Sequence, residues 1–374
     1  MKKPSLRREQ GPVRIAVIGA GNSVGPYLVR SLERIAADAN VEIVALVDLD
    51  SKALAAIGLE VPGARLFGSQ PDLHRDEQWS REHDAAGDRF AVDVELIAVP
   101  TKYHLETMLA ALRAGHDVIC EKPITENADQ ARIVRVLAKE LGRRVYCIGQ
   151  RRHLVAEVAK VVASGRVGRI LAVYQSWIRA GGWPPAVTRD ARAAFSDLGI
   201  HELKELAALL GAFKVLTVSA QMYRAGDNPG ESYALVVLGL EGGITAIIEV
   251  GYGLHPSGGG ATPLREDEVG FRIVGTKATI ASLTPTHESS TEQLAPYRPT
   301  IIERIGTDSP VEERIETLDV LPSVDDARDH DLTVALAYVI DRTEPPLLTD
   351  EVQLMEIVDA AYASASSGAP VSLV

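Results

Sequence analysis

A β-branched run that ends in glycine and opens straight into a helical pattern is the tightest constraint in this chain. Residues 13–19 form the run, Gly19-Ala20-Gly21-Asn22-Ser23-Val24-Gly25 is the junction, residues 24–36 carry helical apolar spacing, and residues 41–47 read as a second buried strand. The same grammar repeats, with strands at 94–99, 117–120 and 145–148 and helices at 104–114 and 128–141. Strands separated by helices of this length pack as a parallel sheet covered on both faces. The first domain is therefore α/β and spans residues 1–149, with 1–11 as a loose tail. Residues 68–90 are polar, show little periodicity beyond a short helix around 76–83, and read as a surface excursion.

After Gly149 the order changes. A helix at 154–164 is followed by strands at 170–177, 213–222, 232–238, 244–252 and 271–280, joined by polar turns such as Glu241-Gly242-Gly243. That is the pattern of a largely antiparallel sheet. Helices at 200–210, 326–342 and 350–366 cover it, so residues 150–374 make an α+β second domain. The five glycines between Gly251 and Ala261 mark a mobile loop.

Composition narrows the partners. With 51 acidic against 39 basic side chains the net charge is -12, a poor match for nucleic acid. No apolar stretch reaches the ~18 residues of a membrane span, and Arg14 interrupts the one segment that resembles a signal peptide. Cys120 and Cys147 each sit in a short apolar run and read as small buried thiols, which suits a reducing cytoplasm.

The junction glycines let the backbone approach a pyrophosphate, whose charge the N–H groups of Gly21, Asn22, Ser23 and Val24 and the helix dipole stabilise; a plain tight turn is the alternative. The third glycine of the usual spacing comes one residue late, with Val24 in its place, which predicts altered helix–strand packing. Asp48 ends the second strand and can accept hydrogen bonds from both ribose hydroxyls of adenosine; a turn-forming aspartate is the alternative. It also repels a 2′-phosphate: unit charges ~4 Å apart at an effective dielectric of 20 interact by about 4 kcal/mol, which favours NAD over NADP even with half of it screened. Lys52 offsets part of that charge. Lys122 stands where the next strand pattern stops, in Glu121-Lys122-Pro123, and Pro123 confines it to extended conformations. Ligands of open α/β sheets bind at such strand ends, so Lys122 faces the cleft unless it is a solvated charge.

Taken in order, Gly19-Ala20-Gly21, Val47-Asp48, Pro100 with His104 four residues on, Glu121-Lys122-Pro123 and Asp197-Leu198-Gly199-Ile200-His201 resemble the Gfo/Idh/MocA oxidoreductases. Gly165-Arg166-Val167-Gly168 and residues 361–371 extend the likeness over nearly the whole chain. The resemblance implies an N-terminal Rossmann domain and a C-terminal sheet domain used in homodimer or homotetramer contacts. It implies NAD(P)-dependent hydride transfer on a sugar, cyclitol or related polyol. It further implies that Lys122, Asp197 and His201 are catalytic and that Pro100, Thr101, His104 and Glu121 lie near the cofactor.

The residues themselves allow that assignment. Asp197 and His201, four apart on a helix, share one face with Cβ atoms ~5–6 Å apart, so the carboxylate can orient the imidazole. Histidine's unperturbed pKa of ~6.5 suits it to take a hydroxyl proton. A helix N-terminal aspartate and a core histidine are the alternative, and His104 can equally be an ordinary helix N-terminal residue. Lys204 stands where the family often carries an aspartate. In the second domain Arg152, Trp177, Arg179, Trp183 and Arg192 offer cations for an anion and indoles for a sugar face, or else a solvated loop and core aromatics. Scattered histidines without HxxxH spacing predict no metal site. Two other readings compete: an NAD-dependent glycosidase that oxidises transiently, eliminates and reduces back, and a non-catalytic NAD-binding sensor, against which Lys122, Asp197 and His201 together argue because a pure binder needs none of them.

Overall fold

The computed structural model describes residues 11–85, 89–149, 156–179, 192–224, 229–252, 268–283, 300–305, 312–317, 324–343 and 350–374. The chain divides into two units, one of residues 1–149 with 325–346 and one of residues 150–324 with 347–374.

The first unit opens with β1 (Val13–Ile18), α1 (Gly25–Ala39), β2 (Val41–Val47), α2 (Ser51–Gly58), β3 (Arg65–Phe67) and α3 (Gln70–His83). It continues with β4 (Val94–Ile97), α4 (His104–Ala114), β5 (Asp117–Cys120), α5 (Ala128–Glu140) and β6 (Val145–Cys147). The six strands lie in the order β3-β2-β1-β4-β5-β6, all parallel. Ile15, Val17, Leu46, Leu96 and Ile119 are buried, as cover on both faces requires. The strand order reverses between β1 and β4, and ligands of such sheets bind outside the strand ends at that switch point.

Residues 65–83 are more regular than a surface excursion. Ser69 caps α3 by accepting from the Asp72 N–H, and Pro71 occupies its first turn. Apart from fully buried Leu73, the inward face of α3 is polar: buried Glu77 and Ser80 accept from the backbone N–H groups of Val92 (2.9 Å) and Phe90 (2.7 Å). A helix docked through buried hydrogen bonds leaves no apolar stripe to read.

The second unit contains α6 (Ala156–Ala163), β7 (Ile170–Arg179), a π-helical turn (Phe195–Gly199) leading into α7 (Ile200–Leu210), β8 (Val215–Tyr223), β9 (Tyr233–Leu240) and β10 (Ile244–Tyr252). It goes on through β11 (Glu268–Gly275), β12 (Ala278–Leu283), β13 (Thr300–Ile305) and β14 (Glu312–Thr317). Among the described residues nine strands form one sheet, β14-β13-β12-β11-β7-β10-β9-β8-β15, in which only β7 and β10 pair in parallel. The single strand expected at 271–280 is two: the register breaks after Val274, and a Cβ on Gly275 would lie 2.1 Å from the Val167 carbonyl oxygen, so the chain turns there.

The helix expected at 326–342 in the second domain belongs to the first unit. As α8 (Val324–Ile340) it adds Leu332, Ala335, Leu336 and Val339 to the core that holds β1, β2 and β4. Its spacing predicts an amphipathic helix but not the sheet that the helix covers. Arg34 grips Asp329 through two bonds of 2.8 and 2.9 Å, and Asp331 accepts from Tyr146 Oη (3.1 Å) and Gly149 N (2.6 Å) at the end of β6. The chain closes with α9 (Glu351–Ser367), capped by Asp350, and β15 (Val371–Ser372) on the edge beside β8. Among the described residues no helix is long and apolar enough to cross a membrane.

Candidate active site

The glycine junction is a close-packed turn. Gly19, at φ +86°, donates to Val47 O (2.8 Å), and a Cβ there would meet the Ala98 and Val99 backbone at 2.9 Å. The late glycine performs the close approach: a Cβ on Gly25 would lie 2.0 Å from the Gly19 carbonyl oxygen. Val24, at the usual glycine place, instead packs half-buried against the core. No side chain caps α1 and its first turn carries no acid, so no negative group competes with an anion at the helix start; of the leading residues, Gly25 and Tyr27 donate their N–H groups to Asn22 O (3.1 Å) and Val24 O (3.0 Å), and Pro26 has none. Asn22 and Ser23 are exposed at this opening.

Asp48 is brought to that turn. Its Oδ2 accepts from Gly21 N (2.8 Å) and its Oδ1 from Asp50 N (2.9 Å), while Asp50 caps α2 through Lys52 N and Ala53 N. The carboxylate is thereby fixed at the end of β2 with lone pairs to spare for incoming hydroxyls. A Cβ on Gly21 would crowd both Ala53 (2.8 Å) and Asp48 Oδ2 (3.1 Å), so the turn needs glycine here as well.

At the ends of β4 and β5, His104 is a brace. It is buried, with Nδ1 2.9 Å from Pro123 O and Nε2 2.8 Å from Val99 O, tying the loop after β5 to the loop after β4. Burial pushes its pKa below the ordinary histidine value, against the pull of those carbonyls. Pro100 is exposed, and its carbonyl accepts from Tyr103 N (2.8 Å) across the short turn that begins at Thr101. Lys122 is half-buried and joined to Pro123 by a cis peptide, and its N–H donates to Glu121 Oε2 (3.1 Å). Burial raises the Glu121 pKa, while the Lys122 charge opposes that shift.

In the second unit Asp197 lies within the π-helical turn and His201 in the first turn of α7. The turn is anchored from outside: Glu231 accepts from Phe195 N (2.8 Å), Ala193 N (3.1 Å) and Tyr362 Oη (2.7 Å), and burial raises its pKa. Tyr252, at the end of β10, donates its hydroxyl to Asp197 Oδ2. Burial and then the Asp197 charge raise the Tyr252 pKa, so the phenol stays a donor. His201 is buried beside the Trp177 ring, with centroids 5.4 Å apart, and Arg179 lies two residues further along the same face of β7.

Some candidates fall elsewhere. Arg192 is bound to α9, 2.5 Å from Asp359 Oδ1 and over the Tyr362 ring, which makes it a packing residue rather than an anion ligand. Arg152, Trp183 and most of the glycine-rich loop lie outside the described residues. Tyr252, Glu231 and Tyr362 escaped the sequence reading, since their partners are distant in the chain and no motif joins them.

Residues 13–148 match an oxidoreductase family with an NAD-binding Rossmann fold, and residues 155–281 match the Gfo/Idh/MocA C-terminal domain. The chain is 29% identical to inositol 2-dehydrogenase 2 of Saccharopolyspora erythraea over 258 residues, which cover 66% of this chain and 70% of that one. An oxidoreductase from Agrobacterium radiobacter, solved with NAD+, L-tartaric acid and magnesium, superimposes with a TM-score of 0.77 at 21% identity, covering 96% of this chain and 98% of the other. The myo-inositol 2-dehydrogenase of Lactobacillus plantarum superimposes with a TM-score of 0.71 at 20% identity, covering 97% and 100%. Two matched domains in succession, a glycine turn with its aspartate, and a parallel sheet followed by a mostly antiparallel one make this chain a member of the Gfo/Idh/MocA family of NAD-binding oxidoreductases.

Proposed function

We propose that the chain interconverts a secondary alcohol of a cyclitol, sugar or related polyol with its ketone, using NAD. The observation that carries the reading is the Asp48 carboxylate, pinned by the Gly21 and Asp50 N–H groups beside a turn that admits no side chain at Gly19, Gly21 or Gly25. Such an acceptor suits ribose hydroxyls and disfavours a 2′-phosphate. The similarity to inositol 2-dehydrogenases supplies the substrate class.

Held by the glycine turn and Asp48, NAD would supply the acceptor for the hydride of the carbinol carbon. His201 takes the hydroxyl proton on its imidazole, Asp197 stabilises the charge that the ring acquires, and the Lys122 ammonium offsets the alkoxide charge before the carbonyl forms. Tyr252 holds Asp197 in place through its hydroxyl. Trp177, beside His201, offers an apolar face to the C–H side of a polyol ring.

A panel of inositols, sugars, uronic acids and amino sugars, assayed with NAD and NADP at the nicotinamide absorbance band, tests the reading. NADH should accumulate with at least one polyol, faster than NADPH. Intact NAD binding with no turnover on the panel would leave a sensor, and product without net NADH would leave the eliminating glycosidase.

We also infer a homodimer or homotetramer formed through the nine-stranded sheet, whose outer face carries half-exposed Tyr174, Ile247 and Val237 in register. A single-chain mass by light scattering would overturn it. Two buried thiols, Cys120 and Cys147, suit a cytoplasmic enzyme, and recovery of the native protein from the medium would contradict that assignment.

A further inference from the structure

We propose that the first unit carries a metal site apart from the glycine turn, in which His74, Glu95 and His116 together bind one zinc-type divalent cation. Three elements deliver the ligands: α3 brings His74, β4 brings Glu95, and the loop between α4 and β5 brings His116. Glu95 Oε1 lies 2.6 Å from His74 Nε2 and 2.6 Å from His116 Nδ1, and the three ligand atoms all fall within 4.8 Å of one another. Tetrahedral zinc with bonds of about 2.0–2.2 Å sets its ligands roughly 3.3 Å apart, so each carboxylate contact must open by less than about 1 Å.

The surroundings argue for a metal more strongly than the triad itself. His116 Nε2 lies 2.9 Å from Glu77 Oε2, the outer carboxylate that commonly orients a metal-bound histidine. Glu95 Oε2 accepts from Gln70 Nε2 (2.6 Å), and that amide also reaches Thr107 O (3.1 Å). Both inner ligands are thus oriented by second partners. Glu95 and His116 are buried at 0% and 2% exposure, while the His74 side chain is 21% exposed, leaving one side for an ion to arrive and for a fourth ligand from water. Two imidazoles and one carboxylate suit zinc or cobalt, whereas calcium and magnesium prefer all-oxygen sets. A bound ion would tie α3 to the sheet of the nucleotide-binding unit.

The test uses the full chain, stripped with chelator and titrated at pH 7.5 with zinc by calorimetry and with cobalt by visible absorption. One ion per chain is expected, with the intense bands of tetrahedral cobalt. His74→Ala keeps His116 between Glu77 and Glu95, so it should stay folded and bind NAD while losing about 100-fold or more in zinc affinity. X-ray absorption on the zinc-loaded wild type, expected to show two imidazoles, gives a readout that needs no variant. Less than one ion per chain, affinity unchanged in His74→Ala, or a spectrum without imidazole would overturn the proposal, and the cluster would then be a proton-bridged charge network only.

Discussion

One methyl group added at Gly25 tests how the first unit is built. In Gly25→Ala the new carbon would lie 2.0 Å from the Gly19 carbonyl oxygen and 2.9 Å from the Ala20 backbone. Non-bonded heavy atoms rest roughly 3.5–4.0 Å apart, and both partners are main chain, so no side-chain rotation relieves the overlap. Overpacking costs about 1–3 kcal/mol, and a backbone clash falls at the top of that range. Alanine in a helix returns up to about 1 kcal/mol over glycine, which leaves ~2 kcal/mol of net destabilisation. For a unit of this size that lowers the melting temperature by about 4–8 °C. The start of α1 must move off the turn, and it carries Gly19 and Gly21, whose N–H groups hold Val47 O and Asp48, with it. NAD affinity should therefore fall about tenfold or more, which corresponds to roughly 1.4 kcal/mol. Circular dichroism during heating and NAD titration by fluorescence measure both effects. Gly63→Ala is the control, since a Cβ there meets nothing within 4 Å. A Gly25→Ala protein that matches the control in both assays would refute the packing argument.

Asp48→Ser removes the charge that opposes a 2′-phosphate, and a loss of ~2 kcal/mol after screening narrows the NAD-over-NADP ratio of kcat/KM by about 30-fold; an unaltered ratio would move discrimination elsewhere. Lys122→Ala and His201→Ala should each lower kcat by about 10²–10⁴ while the NAD Kd stays near wild type, and rates within tenfold of wild type in both would remove the assigned roles. Tyr252→Phe takes a donor from the Asp197 carboxylate, so the acid limb of the pH–rate profile should move to higher pH, with about 1 kcal/mol lost in stability; an unmoved limb would separate Tyr252 from Asp197 function. His104 has its folded pKa lowered by burial, so it contributes stability that is full above about pH 6.5 and lost as pH falls from there. Urea midpoints between pH 8 and 5 should accordingly fall more steeply in wild type than in His104→Asn, and equal slopes would contradict the sign.

The first unit was readable because its strands are continuous apolar runs punctuated by helices, a pattern that buried parallel sheets impose on sequence. The glycine turn and Asp48 were readable for a related reason: their geometry depends on residues adjacent to the ends of β1 and β2. α3 was not, because its inner contacts beside the lone Leu73 are His74, Glu77 and Ser80, which score as solvent-facing in any apolar pattern. β13 and β14 were missed since Thr-Ile-Ile-Glu-Arg-Ile and Glu-Glu-Arg-Ile-Glu-Thr carry the charge of surface loops. Around the candidate site the motif Asp197 to His201 stood out, yet the Tyr252 donor 55 residues away did not. Strand pairing in a nine-stranded sheet brings that phenol close, and no local periodicity encodes it.

The return of α8 to the first unit changes what counts as the nucleotide-binding module. Leu332, Leu336 and Val339 are fully buried there, and at about 1.5–3 kcal/mol per large aliphatic side chain their loss would remove up to roughly 5–9 kcal/mol, comparable with the whole stability of a domain. The polar contacts of the helix act at a specific place. Asp331 holds Gly149 N and Tyr146 Oη at the end of β6, the last of the six parallel strands. The strand ends that carry Gly19, Pro100 and Lys122 therefore belong to a sheet whose core is completed late in the chain, Asp331 lying 185 residues beyond its partner Tyr146. A segment ending at Gly149 contains every glycine-turn residue and lacks part of the core that fixes their positions, so nucleotide affinity in this family member is a property of both chain segments together.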